Sequence, residues 1–231
     1  MNDFSPQLPL NFKNCSVPSF ANFLVAKNST SINSLHDFLN SRQSLFYLWG
    51  ANGSGKTHLL NAIALKLKQQ KAVIIDYQQL NDRQNISLIE MFDCICLDNA
   101  QSIAGNQQLE EALFYWINEI RQGEKKIIIA STLSNNDPKW QLPDLISRLQ
   151  SGRTHELLAL ERTDALLVFQ QQAHQKGLTL SSVILKYIEK NCSMNMSFLT
   201  QLLKKLDQIT LSEKKQLTIP LLKKILQTEL V

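Results

Sequence analysis

Leu45–Asn61 reads L-F-Y-L-W-G-A-N-G-S-G-K-T-H-L-L-N: an apolar run, a glycine-spaced turn and the start of an amphipathic segment. The run Leu45 to Trp49 has the composition and length of a buried strand. Gly50, Gly53 and Gly55 allow the backbone to turn sharply where side-chained residues resist. Such a loop aims successive N–H groups at one anion, and a helix starting near Gly55 adds its positive dipole end. The spacing G-x-x-x-x-G-K-[ST] is complete, so the stretch reads as a cradle for the phosphates of a nucleoside di- or triphosphate. Lys56 would offset β/γ-phosphate charge, and the Thr57 hydroxyl would hold a magnesium ion bridging the same phosphates. The candidate nucleotide-binding residues here are Gly50, Asn52, Gly53, Ser54, Gly55, Lys56, Thr57 and the adjoining His58. The alternative, a chance glycine-rich turn, has to explain a strand before it and Lys-Thr at its end.

Outward from the loop, the helix from about Lys56 to Lys68 carries Leu59, Leu60, Ile63, Ala64 and Leu67 on one face, as a helix packed on a sheet does. Ala72 to Tyr77 reads as a second strand, and Asp93 to Asp98 as a third that ends in an acid. An aspartate closing an apolar strand suits the second half of a magnesium-phosphate site. Asp98 alone reads as readily as a turn residue; Lys56-Thr57 upstream tips it to the magnesium role. Asn99 follows, and an amide cannot deprotonate water at neutral pH, so slow or absent hydrolysis is expected. A helix over Gln107–Gln122 and a fourth strand over Lys126–Ala130 come next. The strand ends in Ser131-Thr132, whose hydroxyls can sense a γ-phosphate or simply close the strand. Leu142 to Leu149 opens a helix with Arg148 near its end, and His155 to Leu160 reads as a fifth strand. Taken alone, an arginine so placed is more often a surface salt-bridge residue than a group reaching a neighbour's nucleotide.

On the amino-terminal side, Ser19–Leu39 reads as a capped helix. The first residues, ending Q-L-P-L-N-F, make a tail that either docks as an extended peptide or packs on its own domain. After Glu161 the strand-like runs stop. Asp164–Lys176, Ser181–Asn191, Met196–Ile209 and Ile219–Glu229 show helical spacing, with Gly177 ending the first, Ser181-Ser182 capping the second and Thr218 with Pro220 starting the last. A separate helical domain is expected.

The bulk properties bound the rest. A chain of 231 residues, 44% apolar, can bury a substantial core. No stretch approaches the roughly 20 apolar residues of a membrane span, and M-N-D-F-S-P lacks the pattern of a signal peptide, so a cytoplasmic protein is expected. Cys15, Cys94, Cys96 and Cys192 include no C-x-x-C pair, and His36, His58, His155 and His174 show no metal-ligand spacing. Cys94 and Cys96 read as small core residues. The net charge of +4 is mild, and Lys204-Lys205, Lys214-Lys215 and Lys223-Lys224 fit solvated helix faces better than a nucleic-acid surface without interleaved aromatics.

With S-F-A-N-F-L-V-A-K-N-S, L-D-N-A-Q-S-I-A-G, L-P-D-L-I-S-R-L and L-T-I-P added to the loop, the chain resembles the AAA+ ATPases of the bacterial replication-initiator (DnaA) group, in its Hda branch of regulatory inactivators. The likeness implies an α/β fold: an AAA+ P-loop core, with a five-stranded parallel sheet flanked by helices, followed by a small all-α lid. The implied divisions are a clamp-binding tail over 1–16, a nucleotide-binding domain over 17–161 and the lid over 162–231. The resemblance also implies ADP or ATP with Mg2+ as ligands, Phe23 and Val25 near the base, and Thr132 and Asp98 at the phosphates. Gln7, Leu8, Pro9 and Leu10 match the family's peptide for the DNA polymerase sliding clamp, through which DNA is reached indirectly. Arg148 matches the arginine that stimulates ATP hydrolysis in the initiator, and the resemblance implies self-association (a homo-oligomer) as in other AAA+ proteins. Two departures bear on self-hydrolysis: Ser197 stands where the lid's phosphate-sensing arginine is expected, and Thr132 replaces an aspartate. A self-sufficient P-loop ATPase or loader is the competing reading.

Overall fold

A computed structural model describes residues 17–67, 71–81, 86–213 and 217–229. The tail residues Gln7, Leu8, Pro9 and Leu10 lie outside them. Five parallel strands, β1 (Leu45–Trp49), β2 (Ala72–Asp76), β3 (Cys94–Asp98), β4 (Lys126–Ser131) and β5 (Arg153–Glu156), form one sheet in the order β2-β3-β4-β1-β5. The central strands are continuous apolar runs because helices cover both faces. Their residues alternate between two cores: Leu45, Tyr47, Ile95, Leu97, Ile127 and Ile129 face one, and Phe46, Leu48, Cys94, Cys96, Ile128 and Ala130 the other. Cys94 and Cys96 are buried in that second core, as small core residues should be.

The second core is covered by α1 (Ser29–Asn40) and α2 (Lys56–Lys66), which contribute Leu35, Phe38, Leu59, Leu60 and Ile63. Against the first lie α3 (Ile86–Met91), α4 (Gln107–Gln122) and α5 (Pro143–Ser151). α4 presents Leu109, Leu113, Trp116, Ile117 and Ile120 at helical spacing. On that same helix Glu110 is fully buried, and its carboxylate accepts from the N–H groups of Gly105 (2.7 Å), Gln141 (3.0 Å) and Leu142 (2.6 Å). This carboxylate pins the chain leading into α5.

Two expectations need correcting. The fifth strand is not His155–Leu160 but Arg153–Glu156, paired from Phe46↔Arg153 to Trp49↔Glu156. Among the described residues β5 pairs with β1 alone, as an edge strand, so its ladder ends where β1 turns into the loop. The apolar residues beyond it leave the sheet, Leu157 for the second core and Leu160 for the lid. Before α1, two 3-10 turns, Phe20–Asn22 and Ala26–Asn28, replace the first half of the expected helix. Asn28 is buried there because its amide pairs both backbone groups of Leu158, donating to the carbonyl at 3.0 Å and accepting from the N–H at 2.8 Å.

The last four helices, α6 (Arg162–Gln175), α7 (Ser182–Asn191), α8 (Met196–Glu213) and α9 (Ile219–Glu229), close around a separate core that includes Phe169, Ile188, Leu199, Leu206 and Leu222. Gly177, at φ +76°, reverses the chain after α6 while Leu178 N–H returns to the Ala173 carbonyl at 2.9 Å. Ser181 caps α7 by accepting from Ile184 N–H. Among the described residues no helix is long and apolar enough to cross a membrane.

Candidate functional site

β1 delivers the loop to the carboxyl edge of the sheet, and α2 begins at Lys56 directly after Gly55. Gly55 has φ +103°, and a Cβ there would lie 2.7 Å from the Phe23 ring; Gly53, at φ +80°, would bring a Cβ within 2.4 Å of Asn195 Oδ1. A side chain at either position would fill the cradle or push its walls apart. The Lys56 side chain is buried, with Nζ donating to the carbonyls of Gly50 (2.7 Å) and Ala51 (2.9 Å). Burial draws its pKa down, and the Asp98 carboxylate opposes that shift. Ser54 Oγ, in the same loop, is buried with no hydrogen-bond partner among the described residues. An orphaned hydroxyl beside a caged ammonium and a helix N-terminus fits a phosphate group, whose oxygens can satisfy all three.

Thr57 Oγ1 donates to Asp98 Oδ2 at 2.6 Å, while Asp98 Oδ1 accepts from Asn99 N–H at 2.9 Å. The hydroxyl and carboxylate together are hard oxygen ligands of the sort Mg2+ uses. Among the described residues no group of three or more His, Cys, Asp and Glu side chains is placed to hold a metal by itself. Asn99 adopts the left-handed conformation, φ 56° and ψ 33°, which asparagine tolerates. Its Nδ2 donates to Asp76 Oδ2 at 3.0 Å, and its Oδ1 accepts from Gln101 Nε2 at 3.3 Å. Gln101 Oε1 in turn accepts from Thr132 N–H at 3.1 Å. One amide chain therefore ties the ends of β2, β3 and β4. Ser131 is buried and its Oγ accepts from Leu133 N–H at 3.0 Å, which is the strand-closing role.

Phe23 sits beside Gly55 and His58, its ring centroid 5.6 Å from the imidazole. Nε2 of His58 donates to the Ser19 carbonyl at 3.0 Å, and Val25 packs on the second core. On the lid side, Ser197 is exposed in the first turn of α8. It is Asn195 that reaches the loop, donating from Nδ2 to the Asn52 carbonyl at 2.7 Å. Arg148 is not brought to the loop. It lies half-buried in the last turn of α5, 5.9 Å from the Phe114 ring centroid, at the edge where β1 begins rather than where it ends. Asn195, Gln101 and Asp76 were missed in the sequence. An asparagine just before the Met196 run is a cap-type residue, a local signal that could have singled out Asn195; its contact across the domains leaves no such signal.

Residues 18–159 match the model of the bacterial DnaA ATPase domain, and residues 162–226 match that of the Hda lid domain. The chain is an Hda-like member of the DnaA-related AAA+ family. It is 34% identical over 228 residues to an uncharacterized protein of Haemophilus influenzae, covering 95% of this chain and 98% of that one. Its fold is shared by domain III of the Thermotoga maritima replication initiation protein DnaA, with a TM-score of 0.78 at 20% identity, over 95% of this chain and 98% of that one. AMPPCP-bound DnaA from Aquifex aeolicus aligns with a TM-score of 0.70 at 20% identity, over 84% of this chain and 66% of that one. The five-stranded AAA+ sheet and helical lid expected from the sequence are those observed.

Proposed function

We propose that this Hda-like protein is a clamp-associated regulator that holds a nucleotide without readily cleaving it and stimulates ATP hydrolysis in a DnaA-type initiator. The initiator would pass to its inactive ADP form, which prevents re-initiation of chromosome replication. One observation carries the reading: beside an otherwise intact Lys56, Thr57 and Asp98, residue 99 is an amide engaged with Asp76 and Gln101. Such a site can grip phosphates but has no acceptor there to deprotonate water.

In this reading ADP or ATP lies against Gly50, Asn52, Gly53, Ser54, Gly55 and Lys56, with the base near Phe23, Val25 and His58 and with Thr132 toward the phosphate end. Thr57 and Asp98 hold Mg2+, which supplies positive charge to the phosphate oxygens. Arg148, remote from its own loop, offers its fixed charge to a second molecule's nucleotide. Gln7, Leu8, Pro9 and Leu10, in the tail over 1–16, take the sliding clamp and through it reach DNA; 17–161 bind nucleotide and 162–231 act as lid, in a cytoplasmic protein able to self-associate.

The test is phosphate release from ATP-bound initiator on adding this protein with DNA-loaded clamp. Acceleration lost in Arg148→Ala and in Gln7→Ala/Leu8→Ala is expected; equal acceleration by Arg148→Ala would sink the proposal. A self-sufficient ATPase is the second reading, favoured by the Asp76 carboxylate 3.0 Å from Asn99. It requires turnover by the protein alone that disappears in Lys56→Ala.

A further inference from the structure

At the edge of the sheet where β1, β4 and β5 begin, opposite the phosphate loop, a cleft of about 250 Å3 opens. Arg42 from the α1–β1 link, Arg121 from the last turn of α4, Arg148 from the last turn of α5 and Arg153 from the start of β5 all line it. Leu45 and Ile127, both buried, form its apolar side. Among the described residues no Asp or Glu lines it, and none of these arginines has an ion-pair partner. Their other contacts are modest: Arg153 donates to the Ser34 carbonyl at 3.2 Å, and Arg148 lies over Phe114.

A guanidinium cannot relieve repulsion by shedding its proton, so like charges around a concave, partly apolar space sustain a positive potential until an anion enters. Guanidinium forks match phosphate oxygens two at a time, and the charge of several phosphates in one chain answers several arginines at once. We propose that this cleft is a second anion site, which binds a condensed phosphate, the di- or triphosphate group, separately from the Lys56 loop. A small concavity ringed from different chain segments admits a phosphate chain, whereas the side of a duplex requires a basic stripe along an open face. The phosphate chain comes either free in solution or as the nucleotide of a second protein; only the latter source rests on the function proposed above.

Inorganic tripolyphosphate titrated calorimetrically into Lys56→Ala protein, and into wild-type protein saturated with ADP, tests the site with the loop disabled or filled. Binding at one site is expected, weakened at least about tenfold by Arg42→Gln/Arg121→Gln, a pair that keeps the side-chain stems. Thermal unfolding of that pair shows that it is folded; Arg153→Gln serves as an independent variant. No binding in either form, or unchanged binding by the folded arginine variants, overturns the proposal. So does displacement of tripolyphosphate by an equivalent of short duplex DNA, which assigns the surface to nucleic acid. Competition between tripolyphosphate and an ATP-loaded initiator identifies the partner's nucleotide as the source, and its absence identifies a free phosphate chain. Failure of the initiator to be stimulated at all removes the function proposed above and leaves the calorimetric result standing.

Discussion

Asn195 joins the lid to the phosphate loop. Its Nδ2 donates to the Asn52 carbonyl at 2.7 Å while its Oδ1 caps α8 by accepting from Ser197 N–H at 2.8 Å. One side chain thus orients a helix and touches the loop that α8 overhangs. The two halves of the side chain can be separated by mutation. Asn195→Ala removes both and should cost about 1 kcal/mol through the lost cap. Asn195→Asp keeps the cap acceptor but loses the donor and brings a negative charge to the cradle. Its ADP affinity should therefore fall further than its unfolding temperature suggests. Calorimetry with ADP beside thermal unfolding reads the difference, and parallel losses in both variants would reduce Asn195 to a cap.

Glu110 is predicted to be the most sensitive polar residue outside the loop. Its carboxylate is fully buried and serves the N–H groups of Gly105, Gln141 and Leu142. Glu110→Gln turns an NH2 group against one of those donors, at a cost of about 2–3 kcal/mol from urea unfolding. Glu111, exposed and accepting from the Gln107 side chain, provides the contrast, and Glu111→Gln should change little. Because Leu142 precedes α5, Glu110→Gln should also loosen the placement of Arg148.

What was legible in the chain is what depends on neighbours in sequence. The run Leu45–Trp49, the glycine turn and Lys56-Thr57 are contiguous, so strand, loop and helix followed from local chemistry, as did the four lid helices from their spacing. β5 was misplaced because its end is decided by β1, a hundred residues away in sequence to a rough count. Glu110 reads as an ordinary acid in the first turn of a helix. Its burial follows from the later 141–142 segment folding over it. Asn195 and Asn52 are 143 residues apart, and no periodicity announces such a pair.

Acid should destabilise the protein through its histidines. Burial, then the Arg153 charge, lowers the pKa of His155, and burial, then the Lys66 charge, lowers that of His36. A folded-state pKa below the unfolded value of 6.5 means that the unfolded chain binds protons more readily. Stability is therefore intact above pH 6.5 and declines as pH falls from there through the lowered folded-state values. His155 stacks on Phe46 with a 5.6 Å centroid separation, so His155→Phe preserves an aromatic stack without the titrating group. The urea midpoint of His155→Phe should drop less than that of wild type between neutral and mildly acidic buffer. An equal drop would assign the acid sensitivity elsewhere.

In the function proposed above, the amide at position 99 holds hydrolysis back, and exchanging it with its partner tests that directly. Asn99 Nδ2 donates to Asp76 Oδ2 at 3.0 Å, so Asn99→Asp alone sets two carboxylates against each other and should lose stability. In Asp76→Asn/Asn99→Asp the same hydrogen bond can form with its polarity reversed. The carboxylate then stands next to Asp98, where it can take a proton from water. Intrinsic ATP turnover in the exchanged pair should exceed that of wild type by about a hundredfold, the lower range for a positioned general base. Lys56→Ala placed on top should abolish it, because the phosphates lose their cation. If the exchanged pair folds, binds ATP and still turns over no faster than wild type, the block lies in the lid or at Thr132, and residue 99 is a bystander.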